Sequence, residues 1–331
     1  MKKLFTILVV LAMVMGLTAC TQKATGPKTV KVGVAIYKFD DTFMTNYRNE
    51  IKAYFATKDS ATVKYTVDVT DGKNDQVAQT EQIANFIAQK YDVLIINLVD
   101  LTAASTVIDK VKAAKIPTVF INRQPSDADM TKWDKITYVG AKAEASGTFQ
   151  GEIIVDLWKA AGSTVDKNKD GKLQYVMLMG QAIHQDAALR TEYSIKAIVA
   201  ASIPVEKLFE QRGEWDRVKG QEQMAIAITQ FGSKIEAVLA NNDDMALGAI
   251  EALKQAKMTD VPVVGVDATA PALDAIKAGT LKGTVLNDSK GQSHASVDSA
   301  IKLLAGTTMD KLQWIPYVKV TPANYTQFIA K

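Results

Sequence analysis

Short runs of β-branched and aliphatic residues alternate along most of this chain with longer stretches whose apolar positions recur at helical spacing. That alternation is the pattern of βαβ units built around a parallel sheet. It predicts strands at 30–36, 63–69, 93–98 and 118–121, separated by helical stretches such as 75–89. A second series follows at 173–179, 205–209, 235–240, 263–266 and 284–286, with helices expected at 145–161, 184–201, 215–230, 243–257 and 270–278. Two similar series imply an α/β protein of two doubly wound lobes. In such sheets ligands bind at the carboxyl ends of the strands, where these face a cleft.

The residues at those strand ends are polar. Asp40, Asp41 and Phe43 follow the first strand, Asn97 and Asp100 close the third, and Asn122 and Arg123 close the fourth. In the second series His184, Asp186 and Arg190 follow 179, Asn241, Asn242 and Asp243 follow 240, Asp267 follows 266, and Asn287 and Asp288 follow 286. Asp and Asn in such places also serve as helix N-caps, since their side-chain oxygens accept the free N–H groups of the first turn. The mixture of carboxylates, amides, an imidazole and a guanidinium with the aromatics Phe43 and Trp215 suits a sugar. Planar polar groups pair with neighbouring hydroxyls, and aromatic faces cover the apolar C–H faces.

Composition narrows the classes further. At 331 residues the chain has room for two domains, and 47% apolar with 23% charged residues excludes a disordered chain. The formal charge is +3, from 39 basic and 36 acidic residues. So near a balance, no clustered basic face for nucleic acid is expected. The chain lacks a G-x-S-x-G elbow, an H-E-x-x-H pair and a Gly-rich phosphate loop. Its histidines are His184 and His294, and no nucleophile is singled out beside either. A binder is therefore expected rather than an enzyme, with a sugar-processing enzyme as the rival reading.

The first residues read as an export signal. Lys2 and Lys3 precede an apolar run over 4–17 that is shorter than the roughly 20 residues of a membrane-spanning helix. The sole cysteine, Cys20, ends Leu17-Thr18-Ala19-Cys20, which resembles the lipobox of bacterial lipoproteins; that resemblance implies cleavage after 19 and a lipid on the Cys20 sulfur. Residues 20–29 then form a polar tether containing Gly26-Pro27. With one cysteine the chain has no internal disulfide.

Asp166, Asn168 and Asp170 followed by Gly171 match positions 1, 3, 5 and 6 of an EF-hand loop, and Lys172 stands at position 7, where only a backbone carbonyl is needed. Position 12 is Met177 in place of glutamate, so the loop is not an EF-hand. It reads either as part of a calcium site completed by a distant carboxylate or as a solvated Asn/Asp/Gly turn.

Several segments together resemble a known family. Tyr37-Lys38-Phe39-Asp40-Asp41-Thr42-Phe43-Met44, Ile96-Asn97-Leu98-Val99-Asp100, Ala240-Asn241-Asn242-Asp243, Gly265-Val266-Asp267-Ala268 and Gly283-Thr284-Val285-Leu286-Asn287-Asp288 resemble, in order and spacing, the periplasmic galactose/glucose-binding proteins of bacterial ABC importers. The resemblance runs from about residue 30 to the end. It implies the type I periplasmic binding protein fold, two lobes joined by three hinge strands, with 30–116 and 288–313 in one lobe and 117–287 and 314–331 in the other. It assigns sugar hydrogen bonding to Asp41, Asn97, His184, Asp186, Arg190, Asn242, Asp267 and Asn287, and stacking to Phe43 and Trp215. It also implies a structural Ca²⁺ held by Asp166, Asn168, Asp170, Lys172, Gln174 and Glu236. The implied ligand is D-glucose or D-galactose, with ribose or xylose as the alternative on the same fold. The implied partners are the permease subunits of an ABC importer and, for some members of the family, a chemoreceptor. A monomer tethered to the cell envelope by its lipid alone is expected. The chain departs from the family in the segment from Gly180 to Asp186, which lacks an acidic residue after the glycine and a proline between His184 and Asp186, and in a short stretch over 305–312.

Overall fold

A computed structural model describes residues 26–160 and 162–329. The signal segment, the lipobox and Cys20 lie outside the described residues. The first lobe is built on a six-stranded parallel sheet of β1 (Lys28–Ile36), β2 (Val63–Asp71), β3 (Val93–Ile96), β4 (Thr118–Ile121), β5 (Ile136–Gly140) and β11 (Leu312–Trp314), in the order β11-β5-β4-β3-β1-β2. Strands β3, β4 and β5 are buried along their whole length, as strands covered by helices on both faces must be. β2 lies at the edge and alternates half-buried with exposed positions over 63–69.

Helices α1 (Thr42–Ala56), α2 (Gln76–Ala88), α3 (Ala104–Ala113) and the short α4 (Asp127–Met130) connect these strands. Asp41 caps α1 by accepting the Met44 N–H at 2.7 Å, and Asp75 caps α2 through the Val77 and Ala78 amides. Val32, Val34 and Ile36 of β1 pack with Tyr47, Ile51 and Phe55 of α1 in one half of this core, while Leu94, Ile96 and Phe120 pack with Ile83, Val107 and Ile108 in the other.

The second lobe repeats the scheme. Its parallel sheet runs β7 (Val205–Arg212), β6 (Leu173–Met179), β8 (Ala237–Ala240), β9 (Val263–Val264), and isolated bridges extend it from Val264 to Gly283 and from Asp267 to Leu286. β10 (Thr284–Leu286) pairs antiparallel with β12 (Val318–Val320). Around it lie α5 (Ala143–Lys159), α6 (Gln185–Ala200), α7 (Arg217–Phe231), α8 (Asp243–Gln255) and α9 (Ala270–Lys277), whereas α10 (Ser289–Leu304) returns to the first lobe, against α1 and β3 to β5. Gly147 and Gly151 let α5 lie close on α6: a Cβ at Gly151 would stand 2.2 Å from the Ser194 carbonyl oxygen.

The chain crosses between lobes after β5, after β10 and after β11. An expected boundary between 313 and 314 would divide β11, whose Trp314 still pairs with Gly140 in the first sheet. One between 116 and 117 would cut the first sheet between β3 and β4, which are hydrogen-bonded neighbours from Leu94↔Thr118 to Ile96↔Phe120. The first crossing lies after Gly140. Pro117 opens the buried strand β4, and its carbonyl accepts the Leu94 amide.

Candidate functional site

The carboxyl ends of both sheets face each other across a cleft. It is lined by Tyr37, Asp41, Phe43, Met44 and Asn122 of the first lobe and by His184, Asp186, Arg190, Trp215, Asn242, Asp267 and Asn287 of the second. Nine of the ten residues singled out as sugar contacts are thus brought together.

Asn97 is the exception and a correction. It is fully buried beneath the cleft, where its Oδ1 accepts the Tyr37 N–H at 3.3 Å and its Nδ2 donates to the Ile121 carbonyl and to Asn122 Oδ1. The asparagine that reaches the lining is Asn122, in the left-handed region at φ 61°, which asparagine tolerates better than most side chains. Both asparagines end a buried strand of the same sheet, so the sequence marks the pair without ranking them. Tyr37 was also missed as a lining residue. Its hydroxyl donates to Asp41 Oδ2 at 2.6 Å and fixes that carboxylate, whose other oxygen caps α1.

In the second lobe His184 caps α6, its Nδ1 accepting the Asp186 N–H at 3.1 Å. The ring proton therefore sits on Nε2, which faces Asn122 Oδ1 across the cleft at 3.2 Å. Burial, with Arg123 and Arg190 nearby, lowers the His184 pKa well below the usual imidazole value, so the ring is neutral. Asp186 and Arg190 lie one turn apart on α6 and meet at 3.0 Å; the Arg190 guanidinium also donates to the Asn241 carbonyl at 2.7 Å and to the Tyr317 hydroxyl at 3.0 Å. Arg190 is also 3.9 Å from Asp267. One guanidinium serves two buried carboxylates, and neither is fully compensated. Burial raises the Asp186 pKa to about 6 against the pull of Arg190, and burial together with Asp243 pushes Asp267 well up.

Asp267 and Ala268 have φ 127° and 54°, a strained turn at the sheet's end. Asp243 holds it from behind, accepting the Thr269 amide at 2.8 Å and the Thr284 hydroxyl at 2.6 Å. Asn287 donates to Asp267 Oδ1 at 3.2 Å and is itself held by Gln292 at 2.6 Å. Trp215 lies directly on Gly180, where an added Cβ would stand 2.0 Å from the indole, and meets His184 edge to face at 5.3 Å. Asn242 caps α8 through Met245 and ties to the Trp215 carbonyl. Two buried donors here, Arg190 Nε and Trp215 Nε1, have no partner in the protein. Buried polar groups are nearly always paired, so such donors mark places for ligand acceptors.

The loop over 166–172 leads into the start of β6, whose other end leads to His184 and the cleft. Asn168 Oδ1 accepts the Asp170 amide, Asp170 Oδ1 accepts the Lys172 amide, and Asp166 Oδ2 accepts the Gly171 amide, with Gly171 at φ 76°. Glu236, at the entry to β8, closes the loop by accepting the Lys167 amide at 2.7 Å and the Gln174 amide at 3.0 Å. All six residues assigned to calcium are therefore in one loop and its strand-borne neighbour. Among the described residues no three carboxylate, imidazole or thiol groups are gathered as a metal cluster. The donor set is of another kind, with carboxylate, amide and carbonyl oxygens mixed, as a hard cation accepts. Two of its oxygens, Asp166 Oδ1 and Gln174 Oε1, are buried without a partner. Burial raises the Glu236 pKa, with Asp166 adding repulsion, against the amides that lower it. The residues present fit a cation.

Two parallel-sheet lobes around a polar, aromatic-walled cleft define a binding protein that encloses its ligand. The chain matches the periplasmic binding protein domain family over residues 32–308 and belongs to it. It is 38% identical over 309 residues to the D-galactose/methyl-galactoside binding periplasmic protein MglB of Haemophilus influenzae, covering 90% of this chain and 92% of that one. It is 36% identical to a putative rhizopine-binding protein of Rhizobium meliloti, over 96% and 98% of the two chains. Among solved structures, a solute-binding protein of Bacillus halodurans with bound myo-inositol superposes with a TM-score of 0.79 at 31% identity, covering 93% of this chain and 99% of that one. The fold is the type I periplasmic binding fold. These relatives are solute-binding proteins, not enzymes. No helix among the described residues is long and apolar enough to cross a membrane.

Proposed function

We propose that this protein captures D-glucose or D-galactose outside the cytoplasm and hands it to the permease of an ABC importer. The observation that carries the reading is the pairing, in one buried cleft, of hydroxyl-matching groups from both lobes with Phe43 and Trp215 and with two donors that lack protein partners. The galactose-binding relative supports it at 38% identity. Each polar group set to meet one hydroxyl also rejects an analogue lacking it, because the group would then stay buried and unpaired. No bond of the sugar changes. Contacts made by both lobes favour the closed form, and the permease recognises that form. Asp41, fixed by Tyr37 and by α1, is the residue proposed to face the hydroxyl that distinguishes the two hexoses.

A second reading keeps the site and changes the ring: the relative of known structure at 31% identity holds myo-inositol, a cyclic polyol of the same hydroxyl chemistry. Calorimetric titration of protein unfolded and refolded to free it of sugar, with glucose, galactose, myo-inositol, ribose and xylose, decides between them. Micromolar or tighter binding of a hexose, reduced at least a hundredfold in Trp215→Ala and Asp267→Ala, is expected. Silence toward both hexoses with binding of inositol moves the assignment to the second reading.

We further propose that the loop over 166–174 with Glu236 holds a structural Ca²⁺, and that a lipid on Cys20 anchors the mature chain to the envelope membrane. The Ca²⁺ supplies charge that the loop's buried oxygens lack; Lys172 contributes its carbonyl, and its ammonium lowers the site's affinity. Loss of membrane partitioning in Cys20→Ser is the expected sign of the anchor.

A further inference from the structure

The two lobes are joined by a contact outside the cleft. Arg123, at the end of β4, is fully buried in the first lobe: its guanidinium stacks on the Tyr37 ring at 4.0 Å and one of its nitrogens donates to the Val99 carbonyl. Its other terminal nitrogen crosses to the second lobe and donates to Gln181 Oε1 at 2.6 Å. The Gln181 amide is held at its other end as well, its Nε2 donating at 3.2 Å to Asn74 Oδ1 in the loop before α2 of the first lobe. None of Arg123, Gln181 and Asn74 lines the cleft. The same Tyr37 that carries the guanidinium holds Asp41 in the cleft through its hydroxyl.

We infer that Arg123 and Gln181 form a latch between the lobes that sets how tightly the protein binds every ligand, without touching any of them. The inference rests on the sugar-binding reading of the cleft. Arg123 keeps its stack and its Val99 bond within the first lobe alone, so it is oriented before closure and only Gln181 and Asn74 must come to it. A bond made only in the closed form raises the closed fraction and scales the apparent affinity for all ligands by one factor. Because the donor is charged and the acceptor neutral, replacing the acceptor by a carboxylate strengthens the bond, while a half-turn of the Asn74 amide offers its Nδ2 to the carboxylate oxygen that takes the place of Gln181 Nε2. The pair are positioning residues: they act on the sugar through closure alone.

The test uses Gln181→Ala and Gln181→Glu, since a buried Arg123 variant threatens the first lobe's folding. Calorimetry and stopped-flow dissociation with every sugar the wild type binds, at low and high salt, read the effect. Gln181→Ala is expected to bind each of them about tenfold more weakly through faster dissociation, the size expected for one charged hydrogen bond discounted for water regained on opening, with the ratio between sugars unchanged. Gln181→Glu is expected to bind each more tightly, and its gain to shrink with salt as that of an ion pair does. Unchanged affinity in both variants overturns the latch. So does a change in the ratio between sugars, which would make Gln181 a ligand contact. Wild-type silence toward all sugars tested sinks the sugar reading alone; the latch is then read by X-ray scattering of the sugar-free proteins, where a larger radius for Gln181→Ala than for Gln181→Glu supports it and equal radii overturn it.

Discussion

Asp41, His184 and Asn242 each do two jobs at once: each caps a helix through one side-chain atom and lines the cleft. The cap and the ligand contact are thus not rival roles for these residues. A side chain bonded to the first turn of its own helix is already held in place, and the second polar atoms of Asp41 and Asn242, though bonded to Tyr37 and to the Trp215 carbonyl, keep a further lone pair and a further proton for a ligand. Asp186, Asp267 and Arg190 show what sequence spacing does not. Their spacing gives a pair one turn apart on α6, but the approach of Asp267 from β9 puts two carboxylates on one guanidinium. With Asp186 raised by burial to about 6 from an ordinary 3.8, the sugar-free folded state binds that proton more tightly than the unfolded chain does. Stability of the sugar-free protein is therefore expected to fall as pH rises from about 4 through about 6. Sugar hydroxyls donating to Asp186 favour its ionised form, so hexose affinity is expected to weaken about tenfold between pH 7 and pH 5 with release of a proton on binding. Calorimetry in two buffers of different ionisation enthalpy checks this; an affinity flat across that range would put the Asp186 proton outside the binding event.

At the scale of elements, the loop before β6 owes its shape to alternate side chains folding back on their own backbone, a pattern visible in Asp166-Lys167-Asn168-Lys169-Asp170-Gly171. Its closure by Glu236 is not visible there, because that residue enters from β8, which lies beside β6 in the sheet. A chelator is expected to lower the thermal midpoint by about 5 °C at a calcium concentration a hundred times the dissociation constant. In Glu236→Gln that increment should vanish, and the chelated midpoint should itself fall, because one of the two oxygens that accept the Lys167 and Gln174 amides becomes a donor. A midpoint indifferent to chelator in metal-free wild-type protein would leave the loop as a solvated turn. The misplaced first crossing belongs to this scale too. The resemblance implies a crossing near Ile116-Pro117, yet Pro117 only begins a buried strand, and β5, a strand of five buried residues, is not among the strands that the hydrophobic pattern predicts.

For the whole molecule, the cleft exists because residues from both sheets converge on it, and the lobes touch there through His184 and Asn122 and through Gln185 and the Asn122 carbonyl. Ligand contacts shared between lobes shift the balance toward closure. X-ray scattering is expected to show the radius of gyration, about 20 Å for a compact chain of this length, falling on the order of 1 Å when saturating hexose is added. A radius unchanged by a sugar that binds in the calorimeter would mean that the lobes are already closed without it.

The sequence by itself determined the two series of βαβ units, because hydrophobic period and helix caps are local properties. Nine of the ten residues that the resemblance assigns to the sugar line the cleft, whereas the strand-end pattern by itself marks a larger polar set, Asp40, Asp100 and Arg123 included, without ranking it. The tertiary structure alone decided which of Asn97 and Asn122 faces the cleft, since both end a buried strand and only packing against Tyr37 turns one of them inward. It alone decided that β5 and β11 complete the first sheet, that Arg190 is shared by Asp186 and Asp267, and that Arg123 meets Gln181 across the lobes. Each of these joins residues distant along the chain, and no local pattern records which distant surfaces will meet.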